Sequence, residues 1–229
     1  MIKEINNFKK NPLVQVAAID EYEKGNATTY KDYPSLELVR LENLFFRNKP
    51  GHVLEYGFGS GCNTEHLLKK KYKVTGVDVS KNACKVTRNR VKRFKGKFRL
   101  NHLKKNAKKL PFKNNSFDYI VAMSVLSLLG SEKKIKFLLS ELKRVLKPRG
   151  KIILDINTNK SEFGKKKINN NLFKTKILDN EIFTYCPSNC KDFENLVAKF
   201  FWIEDAGLSF FKVFDRKIEE FIISASNKK

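Results

Sequence analysis

The residues whose types and spacing could do chemistry are Glu55-Tyr56-Gly57-Phe58-Gly59-Ser60-Gly61, which put three glycines into five positions. Glycine is costly to order and reaches positive φ freely, so the cluster marks a left-handed turn or a close approach by a ligand. A turn that leaves a buried strand and opens a helix can receive a dinucleotide, a phosphate or a nucleoside. A dinucleotide fingerprint would place its third glycine at position 62, which is Cys62, and no Gly-Lys-Ser/Thr follows to form a phosphate loop. Asp78 comes seventeen residues after Gly61, at the end of the next β-branched run. A carboxylate there can accept both hydroxyls of a ribose, which favours the nucleoside.

These residues need a particular scaffold. Helical spacing over 35–46 predicts a first helix, and "HVLEY" (52–56) a buried strand with a helix at 63–71 behind it. "YKVTGVDV" (72–79) reads as a second strand, followed by a helix at 81–94, a short strand at 97–101 and a loop through Pro111. "FDYIVAMSV" (117–125) is a further buried strand and 132–146 an amphipathic helix. Lys147-Pro148-Arg149-Gly150 is a stop-and-turn signal ahead of the strand "KIILDI" (151–156). A helix near 191–199 and strands near 201–211 and 217–225 complete the chain. Strands alternating with helices predict a parallel sheet covered on both faces. The last two strands are joined by too few residues for a crossover, so they pair antiparallel. The fold class expected is α/β, a Rossmann-like three-layer sandwich whose mostly parallel seven-stranded sheet ends in an antiparallel hairpin. One domain over 1–229 is expected, with residues 1–50 as an N-terminal helical cap and the long connection 157–190 as an inserted cap segment.

Composition narrows the class. The 229 residues carry a formal charge of +23, but only 9 of the 47 basic residues are Arg, the residue favoured for phosphate forks. Residues 79–117 nonetheless hold many Lys and Arg and no Asp or Glu, which suits RNA, an acidic lipid surface or a polyphosphate. No targeting signal and no membrane span is read, and four sparse cysteines fit free thiols in a reducing cytoplasm. Cys186 and Cys190 lack further ligands, so no metal is expected.

Four segments in order, "VLEYGFGSG", "VTGVDVS", "NAKKLPFKNNSFDYIVAMSVL" and "LKRVLKPRGKIIL", resemble the class I S-adenosylmethionine-dependent methyltransferases over residues 50–156. The resemblance implies S-adenosyl-L-methionine as cofactor, with S-adenosyl-L-homocysteine as product. It implies that Glu55 lies near the cofactor's amino group and that Gly57, Gly59 and Gly61 let backbone approach its amino-acid portion. Asp78 would hold the ribose hydroxyls and Val79 would pack on the adenine. Asn106 stands where the family usually has Asp, and would accept from the adenine amine without charge assistance. Ala107 would offer its backbone N–H to the ring, while Met123 and Ser124 would line the methionine side.

Methyl transfer needs alignment and exclusion of water more than a recognisable catalytic residue, and none is assigned. Tyr185 and Asp155 are acceptor-side candidates, and His52, His66 and His102 lack a telling partner in sequence. No Asp/Asn-Pro-Pro-Tyr/Phe motif follows the fourth strand, where amino-methylating nucleic-acid enzymes carry one; the residues are Ala122-Met123-Ser124-Val125. The expected function is methyl transfer to a small-molecule acceptor. The alternatives are an RNA methyltransferase using the 79–117 surface and a non-catalytic cofactor-binding module.

Overall fold

A computed structural model describes residues 32–47, 49–104, 107–177, 180–214 and 216–228. Its centre is a seven-stranded sheet in the order Phe98–His102, Lys73–Asp78, His52–Tyr56, Phe117–Ala122, Leu146–Asn157, Arg216–Asn227 and Phe201–Val213. Strands β1 (His52–Tyr56), β2 (Lys73–Asp78), β3 (Phe98–His102), β4 (Phe117–Ala122) and β5 (Leu146–Asn157) run parallel. The chain ends in β9 (Phe201–Val213) and β10 (Arg216–Asn227), which pair antiparallel with each other, and β10 pairs antiparallel with β5. The expected sheet and its reversed closing hairpin are both present.

Alternation along the buried strands supplies two apolar faces. Leu54, Ile120, Ala122, Ile152 and Leu154 point to one side, against α4 (Glu132–Val145) and α5 (Cys190–Ala198). The stripe Ile135, Leu138, Leu139, Leu142 and Val145 gives α4 its inward face. Val53, Val74, Tyr119, Val121 and Ile153 point to the other side, against α1 (Leu36–Leu41) and α2 (Cys62–Lys69). Helix α3 (Lys81–Val91) adds Val91 to that layer.

Helix α1 continues as a π-helical turn, Glu42–Phe46, and this described part of the expected N-terminal cap lies on the sheet face. Phe46 stacks on Tyr119 with ring centroids 4.3 Å apart. Residues 1–31 fall outside the described residues. Beside Phe46, the fully buried Glu42 accepts a 2.8 Å hydrogen bond from the Tyr72 hydroxyl, and His66 Nε2 lies 3.4 Å from its other oxygen. Burial is the leading cause that lowers the His66 pKa, with Glu42 acting in the opposite direction.

The structure departs from the expected elements in three places. The strand expected over 117–125 stops at Ala122, because Ser124 adopts φ 56°. Lys147-Pro148-Arg149-Gly150 does turn, but inside β5. The β4–β5 register jumps from Phe117↔Leu146 to Tyr119↔Lys151, and Arg149 sits at φ 60° in the extruded segment. Finally, the 157–190 connection contains an antiparallel sheet of its own, β6 (Lys166–Asn169), β7 (Leu172–Ile177) and β8 (Asn180–Tyr185). Among the described residues no helix is long and apolar enough to cross a membrane.

Tyr72→Phe tests the buried Glu42 contact. It strips Glu42 of a hydroxyl donor where water cannot replace it, so urea unfolding should show a loss of about 2 kcal/mol.

Candidate functional site

Going from β1 to β2 the chain moves one way across the sheet, and from β4 to β5 it moves the other way. The switch point therefore lies between β1 and β4, where open α/β sheets form their ligand crevice. The glycine turn leaves β1 at this point and Ser124 follows β4 there.

The turn is fastened from three sides. The Gly59 N–H donates to Asp78 Oδ2 at 2.9 Å, and the Ser80 N–H donates to Asp78 Oδ1 at 2.9 Å. Asp78 thus ties the end of β2 to the turn after β1. From α3, the Thr87 hydroxyl donates to the Gly59 carbonyl at 2.8 Å and Arg90 Nε to the Ser60 carbonyl at 2.9 Å. Phe58 folds down over β2, where a Cβ on Gly76 would come 2.5 Å from its ring. Neither Thr87 nor Arg90 is marked in the sequence, and Phe58 has no packing role assigned there. The register of a GxGxG turn with the helix after the next strand is visible only in three dimensions.

The three glycines have different reasons for being glycine. All have positive φ, at 78°, 50° and 81° for Gly57, Gly59 and Gly61. A Cβ on Gly57 would lie 3.0 Å from Val125, and one on Gly61 only 2.5 Å from Thr87. At Gly59 a Cβ would meet nothing within 4 Å among the described residues. Gly57 and Gly61 are thus set by packing within the protein, and Gly59 is the member that leaves open space above the turn.

Glu55 is buried beneath the turn. Its Oε2 accepts a 2.5 Å hydrogen bond from Thr64 on α2, while Oε1 is buried with no hydrogen-bond partner among the described residues. Burial pushes its carboxyl up to about 8, the Thr64 bond opposing and the nearby Asp78 adding to the rise. Asp78 is also raised, chiefly by burial, with the N–H donors of Ser80 and Gly59 pulling the other way. Two acids held toward their neutral forms beside an open glycine suit a ligand that brings a cation and hydroxyl donors. Helix α2 opens on Gly61 without a side-chain cap, whereas Ser80 caps α3 and Ser131 caps α4.

The other expected residues divide. Val79 and Ala107 are partly buried and, with Val125, border the apolar cluster on the α4 side. The Ala107 N–H is engaged with the Lys104 carbonyl at 2.9 Å, so it would have to be released to reach a ring. Asn106 lies outside the described residues. The loop beyond it is anchored to α4, where Glu141 accepts from the Leu110 N–H and pairs with Arg144, which in turn donates to the Phe112 carbonyl. Met123 packs in the apolar layer under α1, as a core residue would. Ser124 donates its N–H to the buried Asp155 at 2.5 Å, which gives Asp155 a backbone-positioning task. Tyr185 sits where β8 meets α4, its hydroxyl 3.5 Å from Glu132. Burial pushes the Cys186 thiol up to about 12, far from a nucleophilic thiolate. Among the described residues no cluster could hold a metal ion.

Part of the basic 79–117 stretch is used within the fold. Besides holding Ser60, Arg90 pairs with Asp32 and Glu65, and Arg93 pairs with Glu65. His52 shares a hydrogen bond with Thr75 and His102 with the Val79 carbonyl, which accounts for both rings locally.

Gly59 and Gly61 should therefore respond differently to alanine. Gly61→Ala meets Thr87 as well as an unfavourable φ and should lose more than about 2 kcal/mol in thermal or urea unfolding. Gly59→Ala should lose about 1 kcal/mol, the φ cost alone.

Residues 54–154 match the family model described as a methyltransferase domain. A demethylmenaquinone methyltransferase of Tropheryma whipplei is 34% identical over 103 residues, covering 44% of this chain and 40% of that protein. The chain thus spans about two-fifths of the length of that relative. An uncharacterised protein of Methanocaldococcus jannaschii is 31% identical over 186 residues, covering 76% of this chain and 72% of its own length. A crystal structure of an S-adenosylmethionine-dependent methyltransferase from Methanosarcina mazei superposes with a TM-score of 0.68 at 21% identity, over 81% of this chain and 97% of that one.

Proposed function

Because the chain belongs to the class I S-adenosylmethionine-dependent methyltransferase family, we propose that it transfers a methyl group from this cofactor to a small-molecule acceptor. The observation that carries the reading is the open face of Gly59 between two buried acids, Glu55 and Asp78, at the switch point of the sheet.

The residues present fit the cofactor. The unpartnered Glu55 Oε1 suits an ammonium, and the uncapped start of α2 suits a carboxylate, so the two together match an amino-acid end. The Asp78 carboxyl takes the N–H groups of Gly59 and Ser80 and is also reached by that of Val79, and its two oxygens still leave acceptor capacity for a ribose hydroxyl. Val79, Ala107 and Val125 offer an apolar border for a flat base.

When bound, S-adenosylmethionine supplies an electrophilic methyl on a cationic sulfur, which leaves with the bonding pair. The protein's share is orientation and exclusion of water. The fixed glycine turn holds the donor end, and Asp155 fixes the backbone at Ser124 on the methionine side. The β6–β8 sheet follows β5 at the carboxyl edge and packs by β8 on Ser127–Leu129, so it is the part of the 157–190 cap able to cover the acceptor. A small molecule is favoured over RNA because two of the arginines in the basic stretch are committed to the fold.

The Glu55 environment gives this reading a pH signature. An ammonium beside Glu55 favours its carboxylate, so binding should expel a proton from a group otherwise held up near 8. Calorimetry at pH 7 in buffers of different ionisation enthalpy should record proton release on S-adenosylmethionine binding, with affinity rising from pH 5 to 7. Glu55→Gln should abolish both effects. The sign for the free protein is the reverse. Between the ordinary value of 4.5 and about 8 the unfolded chain gives up its proton and the folded one keeps it, so Glu55 lowers stability as pH rises through that window.

Methyl-labelled cofactor offered to aqueous and lipid extracts of cells tests the activity. Label should enter a low-molecular-mass product, and the yield should not change after RNase treatment. Loss of label on RNase treatment would give the reaction to RNA, and cofactor binding without any transfer would leave a binding module.

A further inference from the structure

The β9–β10 hairpin runs past the sheet that it closes. The last residue of β5, Asn157, pairs with Glu220, and Glu220 pairs with Ser209. Beyond that rung Phe210–Val213 and Arg216–Glu219 continue as a two-stranded ribbon. Since β10 is antiparallel to β5, the ribbon projects from the carboxyl edge of the parallel strands, the edge that carries the glycine turn and Asp78.

Its aromatic residues stand on both sides. Phe210 pairs with Glu219, on the face that carries Phe221 and Ile223 further along β10, while Phe211 pairs with Ile218 on the opposite face. Phe210 is 56% exposed, Phe211 53% and Phe214, in the turn, 93%. Cations flank them. Lys212 is exposed between the aromatics, and Lys217 Nζ lies 5.6 Å from the Phe210 ring centroid. At the start of the β6–β8 sheet, Lys165, Lys166 and Lys167 are exposed beside Ile168.

We propose that this ribbon docks the protein on an anionic phospholipid bilayer, with Phe210, Phe211 and Phe214 entering the headgroup layer and the flanking lysines meeting lipid phosphates. A flat protein partner covers one face of a ribbon. Apolar side chains on both faces and at the tip need a medium that surrounds them, as the interfacial layer of a bilayer does. The charge of +23 matches an anionic surface, and each Lys near it adds attraction. The acceptor side of the site would then face the membrane. The ribbon would dock in this way whether or not the site transfers methyl groups.

The test is flotation with phosphatidylcholine vesicles and with equimolar phosphatidylcholine–phosphatidylglycerol vesicles. The protein should float with the mixed vesicles. The triple variant Phe210→Ser, Phe211→Ser, Phe214→Ser keeps every charge and should bind them at least about tenfold more weakly. Equal binding by a folded triple variant would overturn the proposal, leaving charge alone as the cause. A second variant guards against misfolding. Trp202 is the one tryptophan, so Trp202→Phe with Phe214→Trp moves the fluorophore to the tip. Its emission should shift to the blue on mixed vesicles, and binding without a shift would overturn the proposal. So would a lipid-free dimer that the triple variant lacks, since a second copy would then be what covers the ribbon.

Discussion

The bond from the Gly59 N–H to the buried Asp78 carboxylate is the constraint on which the site depends. It joins the carboxyl ends of β1 and β2 through a carboxyl acceptor shielded from water, where such bonds are at their strongest. With the turn held there, Thr87 and Arg90 can reach its carbonyls from α3, and Phe58 can seal the gap over Gly76. Asp78 therefore has a structural task in the same place as its expected ligand task. A substitution at Asp78 changes the shape of the turn along with any contact to a ribose, whereas one at Glu55 leaves the turn's own bonds in place.

The architecture was legible because it rests on periodicity. Buried strands such as "VLEY" and "FDYIVA", and the stripe of α4, each point to one layer, and the short link before β10 forces an antiparallel end. The ring of residues around the glycine turn was legible in part. Glu55, Gly59 and Asp78 declare themselves by type and position. Thr64, Thr87 and Arg90 do not, because nothing local marks a hydroxyl or a guanidinium that reaches across to another element. Met123 packs in the apolar layer under α1, which its place after β4 does not announce.

The boundaries that differed share a physical cause, a left-handed residue that is not glycine. Ser124 ends β4 early because the Asp155 carboxylate captures its N–H, a contact made across two strands. Arg149 allows the Lys147–Gly150 turn to bulge out of β5 without breaking it, as Asn227 accompanies the bulge by donating to the Leu146 carbonyl. The β6–β8 sheet escaped for another reason. Its strands are short and rich in Lys and Asn, and its alternation shows mainly in pairs such as Phe173 with Thr175 and Ile182 with Thr184.

The π-helical turn after α1 has a consequence for how this protein can vary. Leu38, Glu42 and Phe46 are all buried, a spacing of four residues that an α-helix would rotate by about 40° at each step. The wider turn absorbs that drift and keeps the three on one side. Length in this segment is therefore an angular quantity. Gain or loss of a single residue between Leu41 and Phe46 would swing either the buried acid or the stacked ring out of register. Relatives can change the side chains here in concert, but they have little freedom to change the count.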